Sequence, residues 1–266
     1  MKPVEIVRGD SPIVLGLPHT GTWLPPEVQA ALNARGRGLE DTDWHVERLY
    51  DGLLPGATTV RATFHRYVID ANRDPEGTSL YPGQNTTGLV PLTDFDGQDI
   101  WQTPPSAEDI AARRRAYHLP YHAALATEMA RVEALHGVAI LFDCHSIRSR
   151  IPYLFDGVLP DFSIGTNNGS TCAPAFEAAV QEICAAAQGY TCVLNGRFKG
   201  GWTTRHYGRP LDNWHAIQLE LAQSTYLAAE AAPWIYDPAK AARLRPHLRK
   251  MLEQLARLAA SPGEAK

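Results

Sequence analysis

VAILFDCHS, residues 138–146, opens on five consecutive apolar positions and closes on aspartate, cysteine, histidine and serine. A short, continuous apolar run suits a strand buried on both faces, as in a parallel sheet covered by helices. A second run of this kind, Pro12-Ile13-Val14-Leu15-Gly16-Leu17-Pro18, leads into a turn-like His19-Thr20-Gly21-Thr22. Each run thus places a histidine just past an apolar strand. A third apolar stretch, residues 216–221, has a glutamate within it, in Gln218-Leu219-Glu220-Leu221.

Helical and strand-like segments alternate around these runs. A helix is expected near Pro25-Pro26, since proline suits a first helical turn. Thr42 is a candidate N-cap for a second helix, whose Val46, Leu49, Tyr50 and Leu53 repeat at helical spacing. Asp43 then falls on the inward face of that helix's first turn, where a carboxylate needs a partner. Residues 57–64, 67–72 and 190–194 read as strands. Residues 106–135, 173–187 and 239–258 read as helices, the first either kinked or divided at Pro120. Residues 74–102 and 151–171 are rich in Pro, Gly, Thr, Asp and Asn and read as loops. A loop as long as 74–102 is usually functional, here a candidate lid over residues 76–102. The alternation predicts an α/β fold, a three-layer α/β/α sandwich around a mixed, mostly parallel sheet, forming one domain over residues 1–266.

Composition narrows the function. The 266 residues are 44% hydrophobic and 20% charged with a formal net charge of −4, ordinary for a globular chain. There is no basic run, so no nucleic-acid partner is expected. No apolar segment reaches the roughly 18–20 residues of a membrane span. Met1-Lys2-Pro3 lacks a secretory apolar stretch, so a cytoplasmic location is expected. Cys144, Cys172, Cys184 and Cys192 show no CxxC spacing, which argues against a cysteine zinc site.

Histidines at strand ends and a carboxylate in an apolar strand suggest metal-assisted hydrolysis, because ligands bind beyond the carboxyl ends of strands in open α/β sheets. His19, Asp43 and His145 are the candidate ligands and Glu220 the candidate base. Asp41 rivals Asp43, and Asp143 either orients His145 or accepts a backbone bond. His145-Ser146 also raises a serine hydrolase, but no GxSxG elbow is present.

Seven stretches carry a specific resemblance: LPHTGTWLPPEV (17–28), DTDWHVERLYD (41–51), HRYVIDANRDPEGTSLYPGQNTTGLVPLTDFDG (65–97), DCHSIRSRIPYLFDG (143–157), LPDFSIGTNNGSTCAP (159–174), LNGRFKGGWTTRHYGRP (194–210) and HAIQLELAQSTY (215–226). Together they resemble the N-formylglutamate amidohydrolases, or deformylases, of bacterial histidine catabolism. The resemblance implies a fold similar to zinc carboxypeptidases and peptidoglycan amidases. It also implies one divalent metal, zinc by preference, with cobalt, nickel, manganese or iron able to substitute. His19 and His145 match the two histidine ligands and Glu220 the catalytic glutamate. The carboxypeptidase position for the acidic ligand is Thr22 here, whereas Asp43 fits the amidase arrangement.

The implied reaction is hydrolysis of N-formyl-L-glutamate to formate and L-glutamate, the last step of a histidine degradation route. A small dicarboxylate substrate calls for arginine. Arg66, Arg73, Arg148, Arg150, Arg197 and Arg205 are the candidates, with Asn195 and His206, and also Lys199 and Thr204, completing a polar wall. Two other readings remain: a related zinc amidase or carboxypeptidase acting on another N-acyl amino acid or peptide, and a non-catalytic metal- or ligand-binding protein.

Overall fold

The structure, a computed structural model, describes residues 1–79 and 83–260. In chain order its elements are β1 (Val4–Val7), β2 (Ile13–Leu17), α1 (Pro26–Ala31), α2 (Val46–Tyr50), β3 (Thr58–Ala62), α3 (Ala107–Arg113), α4 (Leu119–His136), β4 (Ala139–Ile147), β5 (Phe162–Gly165), α5 (Pro174–Ala185), β6 (Cys192–Leu194), α6 (Trp202–Tyr207), β7 (Trp214–Ala222) and α7 (Pro238–Ala259). The strands form one sheet in the order β1-β3-β2-β4-β7-β5-β6. Its four middle strands are parallel, while β1 and β5 run against their neighbours β3 and β7. The mixed, mostly parallel α/β sheet expected from the alternating pattern is therefore present.

β4 is buried at all nine positions. Its pleat divides these residues between two cores. Ile140, Phe142 and Cys144 pack with Ile13, Leu15 and Leu17 against residues of α2, α5 and α7. Ala139 and Leu141 face the other way, towards Val28 of α1 and Tyr121, Leu125 and Met129 of α4. Helices on both faces make the three layers. Phe142 is fully buried and meets Tyr50 at 6.0 Å between ring centroids. Its replacement by alanine should cost about 3–5 kcal/mol, read as a lowered urea midpoint. A loss under about 1 kcal/mol would contradict this packing.

Several elements differ from expectation. β4 does not stop before the Asp143-Cys144-His145 motif but runs through it to Ile147, so His145 projects from the strand itself. Residues 67–72 form turns rather than a strand: Val68 N–H donates to His65 O and Arg73 N–H to Asp70 O. Their apolar side chains made them look strand-like, and these are buried in the second core. α2 begins later than predicted, after a left-handed His45 (φ 62°). Thr42 does not cap it, because its hydroxyl donates to Leu39 O. Asp43 therefore sits in the turn before α2. The helical stretch is not divided at Pro120: residues Arg114–His118 form a π-helical turn that leads straight on into α4 in the chain. β5 lies within the stretch read as a loop over 151–171, and β1 and α6 were not anticipated. No described helix is long and apolar enough to cross a membrane.

Candidate active site

Parity along two neighbouring strands assembles the site. β4 and β7 are parallel, with Asp143 opposite Gln218 and His145 opposite Glu220. Since Leu141 and Ala216 face the second core, residues two and four further along share that face. Asp143, His145, Gln218 and Glu220 thus form a polar patch where the apolar face of the sheet gives out.

His19 follows β2, the neighbour of β4 on the other side. The Asp43 amide N–H donates to His19 O at 3.1 Å, which brings the turn before α2 to the same place. Among the described residues, His19, Asp43 and His145 form a buried group whose ligand atoms lie within 4.8 Å of one another. Nδ1 of His19 is 3.2 Å from Nδ1 of His145, which is 3.2 Å from Asp43 Oδ2. Asp41 is not part of this cluster. Its Oδ2 accepts from Tyr67 OH (2.8 Å) and Phe95 N–H (3.0 Å).

The donor set fits a divalent metal. Nε2 of His19 is 2.7 Å from Asp70 Oδ1, and Nε2 of His145 is 3.0 Å from Asp143 Oδ1. A carboxylate that takes Nε2–H leaves Nδ1 unprotonated and ready to ligate. His145 Nε2 also lies 3.2 Å from the Asn72 amide, but only the carboxylate can receive Nε2–H when Nδ1 is the ligand. Two unprotonated nitrogens this close repel unless a cation lies between them. Their separation is near the roughly 3.3 Å expected between ligands of a tetrahedral zinc with bonds near 2.0 Å. The cluster draws positive charge even without an ion: the buried Arg66 guanidinium reaches His19 Nδ1 and stands 4.0 Å from Asp43 Oδ1.

Electrostatics follow from burial and pairing. Burial opposes ionisation of Asp43, yet hydrogen bonds from His145 and His19 hold its pKa well below the usual range. Burial likewise opposes protonation of His145, but Asp143 and Asp43 push its pKa up. Burial pushes the Glu220 carboxyl up to about 7, with the charge of His145 opposing. Glu220 Oε2 accepts from Gln218 Nε2 at 3.1 Å, and Gln218 Oε1 accepts from Gly201 N–H at 2.7 Å. A carboxyl poised near neutrality can both take and return a proton. Replacing Asp70 by asparagine should weaken metal binding about 10–100-fold in chelator competition; unchanged affinity would mean that it does not orient His19.

These groups open into a cavity of about 360 Å³. Arg66, Arg73 and Arg197 give it charge, and Phe95, Ile147, Leu154 and Phe198 an apolar wall. Residues 77–79 and 85–89 line it too, so part of the long loop faces the site; residues 80–82 lie outside the described ones. Arg73 is held by Thr87 O and Thr87 Oγ1, both at 2.9 Å. Arg197 donates to Leu154 O and Asn85 O, both at 3.0 Å.

Seven candidates, Lys199 among them, fall outside this lining. Arg148 comes after the end of β4 and meets Asp96 at 3.1 Å, while Arg150 is exposed. Asn195 is left-handed (φ 52°), and its side-chain oxygen accepts from Thr166 and Asn168 N–H. Arg205 donates to Gly200 O, and His206 stacks on Trp202 at 4.2 Å between centroids. Thr204 donates to Asp143 Oδ2 at 2.8 Å. Asp70, Asn72 and Gln218 were not singled out in the sequence. Gln218 was legible, as it lies two residues from Glu220 on one strand face; Asp70 and Asn72 were hidden in a segment read as a strand.

The site can be set beside known proteins. Residues 11–227 match the family described as N-formylglutamate amidohydrolase. The chain is 49% identical over 251 residues to the N-formylglutamate deformylase of Pseudomonas aeruginosa, covering 93% of this chain and 94% of that protein. It is 44% identical to the protein of the same name from Pseudomonas putida, with 96% of each chain covered. The crystal structure of N-formylglutamate amidohydrolase from Ralstonia eutropha superposes with a TM-score of 0.82 at 26% identity, over 98% of this chain and all of that one (100%). The chain belongs to the N-formylglutamate amidohydrolase family.

Proposed function

We propose that this protein hydrolyses N-formyl-L-glutamate to formate and L-glutamate with the help of one divalent metal ion, zinc by preference, in the breakdown of histidine. The observation that carries the reading is the convergence of His19, Asp43 and His145 beside buried Glu220 in one cavity. Kinship with deformylases of 44–49% identity supports the substrate.

His19, Asp43 and His145 would hold the metal, which when bound supplies a water of lowered pKa and a Lewis-acid contact for the formyl oxygen. Glu220 takes the proton from the attacking water. It then passes that proton to the departing nitrogen, so that the amide C–N bond breaks and the amine leaves neutral. Arg66, stacked over the Phe95 ring at 4.9 Å and set beside His19 and Asp43, would stabilise the negative charge that develops on the formyl oxygen. Arg73 and Arg197, each fixed by carbonyl oxygens, present guanidinium groups for the two carboxylates of the substrate.

Formate release from N-formyl-L-glutamate, measured with and without a chelator and beside N-acetyl-glutamate and a short peptide, tests the reading. Release that needs metal and favours the formyl substrate is expected. Preference for the acetyl or peptide substrate would support the broader amidase reading. No release from any of them with metal supplied would support a binding protein.

A further inference from the structure

The segment Asp70-Ala71-Asn72-Arg73 serves every part of the site. Asp70 takes Nε2 of His19, Asn72 abuts Nε2 of His145, and Arg73 enters the cavity. Yet it belongs to no strand or helix, so no ladder holds it. Its place depends on where its backbone carbonyls go.

Two of them are received by one helix. His122 Nε2 lies 2.7 Å from Ala71 O, and His118 Nε2 lies 3.1 Å from Arg73 O. The two histidines are four residues apart and share one helical face, with ring centroids 4.4 Å apart. Both are almost fully buried. Trp202 of α6 covers both rings, at 5.7 and 4.7 Å between centroids. The next residue, Thr203, donates its N–H to Asn72 Oδ1 at 2.9 Å, turning the Asn72 amide nitrogen towards His145.

We propose that His118 and His122 are positioning residues, which clamp the Ala71 and Arg73 carbonyls and so hold Asp70, Asn72 and Arg73 in register with the metal ligands and the substrate. A carbonyl accepts only from a protonated nitrogen, here Nε2–H of each ring, with the Thr203 hydroxyl a more distant second donor to Ala71 O at 3.5 Å. Burial pushes the pKa of His122 down to about 3 and lowers that of His118, so both rings are neutral and carry that single donor. Apolar side chains of like size would fill the space but leave buried carbonyls without these partners. The pair is not a metal site of its own: both Nε2 atoms are engaged, and no third ligand joins them among the described residues.

The proposal rests on the metal-site reading, and the experiment separates the two. Co2+ is titrated into metal-free wild type, His122→Leu and His122→Gln, followed by its visible absorption, and KM and kcat for N-formyl-L-glutamate are measured on the metal-loaded proteins. Leucine should weaken Co2+ binding roughly tenfold, alter its absorption spectrum and raise KM. Glutamine, whose amide N–H can stand in for Nε2–H, should restore both to within about threefold. Should the leucine protein fail to fold, the same comparison with His118→Leu and His118→Gln, at the longer bond, decides. A leucine variant with wild-type Co2+ affinity and KM, or a glutamine variant as impaired as leucine, overturns the clamp. A wild type that takes up no Co2+ overturns the metal-site reading and the clamp with it.

Discussion

Glu220→Gln is expected to lower kcat by a factor on the order of 10²–10⁴ while the protein still takes up its metal. Glutamine matches glutamate in size, and its carbonyl oxygen can still accept from Gln218 Nε2, so the β7 pleat and the cavity wall are preserved. What disappears is the capacity to take a proton. Glu220 is not one of the three converging ligands, so metal affinity should hardly change. Kinetics of formate release paired with metal analysis separates the two quantities. A variant that turns over at a near-normal rate would remove Glu220 from the chemistry.

Asp43→Ala should produce the opposite pattern, loss of metal together with loss of turnover. In the proposed site the carboxylate would be one of three protein ligands, and it accepts from Ser146 N–H at 3.1 Å. If binding of a zinc-type site is worth roughly 10–16 kcal/mol, losing one ligand should weaken it on the order of 10³-fold. Asp41→Asn is the matched control. Asp41 is buried too, and burial pushes its carboxyl up to about 7, with the charge of Arg66 opposing. Yet its bonds go to Tyr67 and to the backbone of Phe95 in the cavity wall. That variant should keep its metal and change KM. Metal loss in the Asp41 variant with retention in the Asp43 variant would exchange their roles.

The apolar runs made β2 and β4 readable, and with them His19 and His145, because a strand buried on both faces must be apolar along its length. Glu220 was readable for the complementary reason: a carboxylate in such a strand needs a purpose. The choice between Asp41 and Asp43 was open, since both are buried and their chain positions alone do not reveal which bond each makes. The arginines that line the cavity were the least legible part. Arg148 follows His145 by three residues, but the strand ends between them and the chain carries Arg148 towards Asp96. Arg66 and Arg197 come from distant loops and still line one cavity. β5 escaped notice because it has only four residues, flanked by the Pro, Asp, Asn and Gly of its loops.

The pleat of β4 has a consequence for how this chain can change. Phe142 and Asp143 are neighbours in sequence, yet one fills a hydrophobic core and the other lies against His145 in the cavity cluster. Insertion or deletion of a single residue upstream in the strand would exchange the two faces. Lineages of this protein can therefore drift in loop length around the sheet, while β4 and β7 tolerate replacement only, with every residue counted.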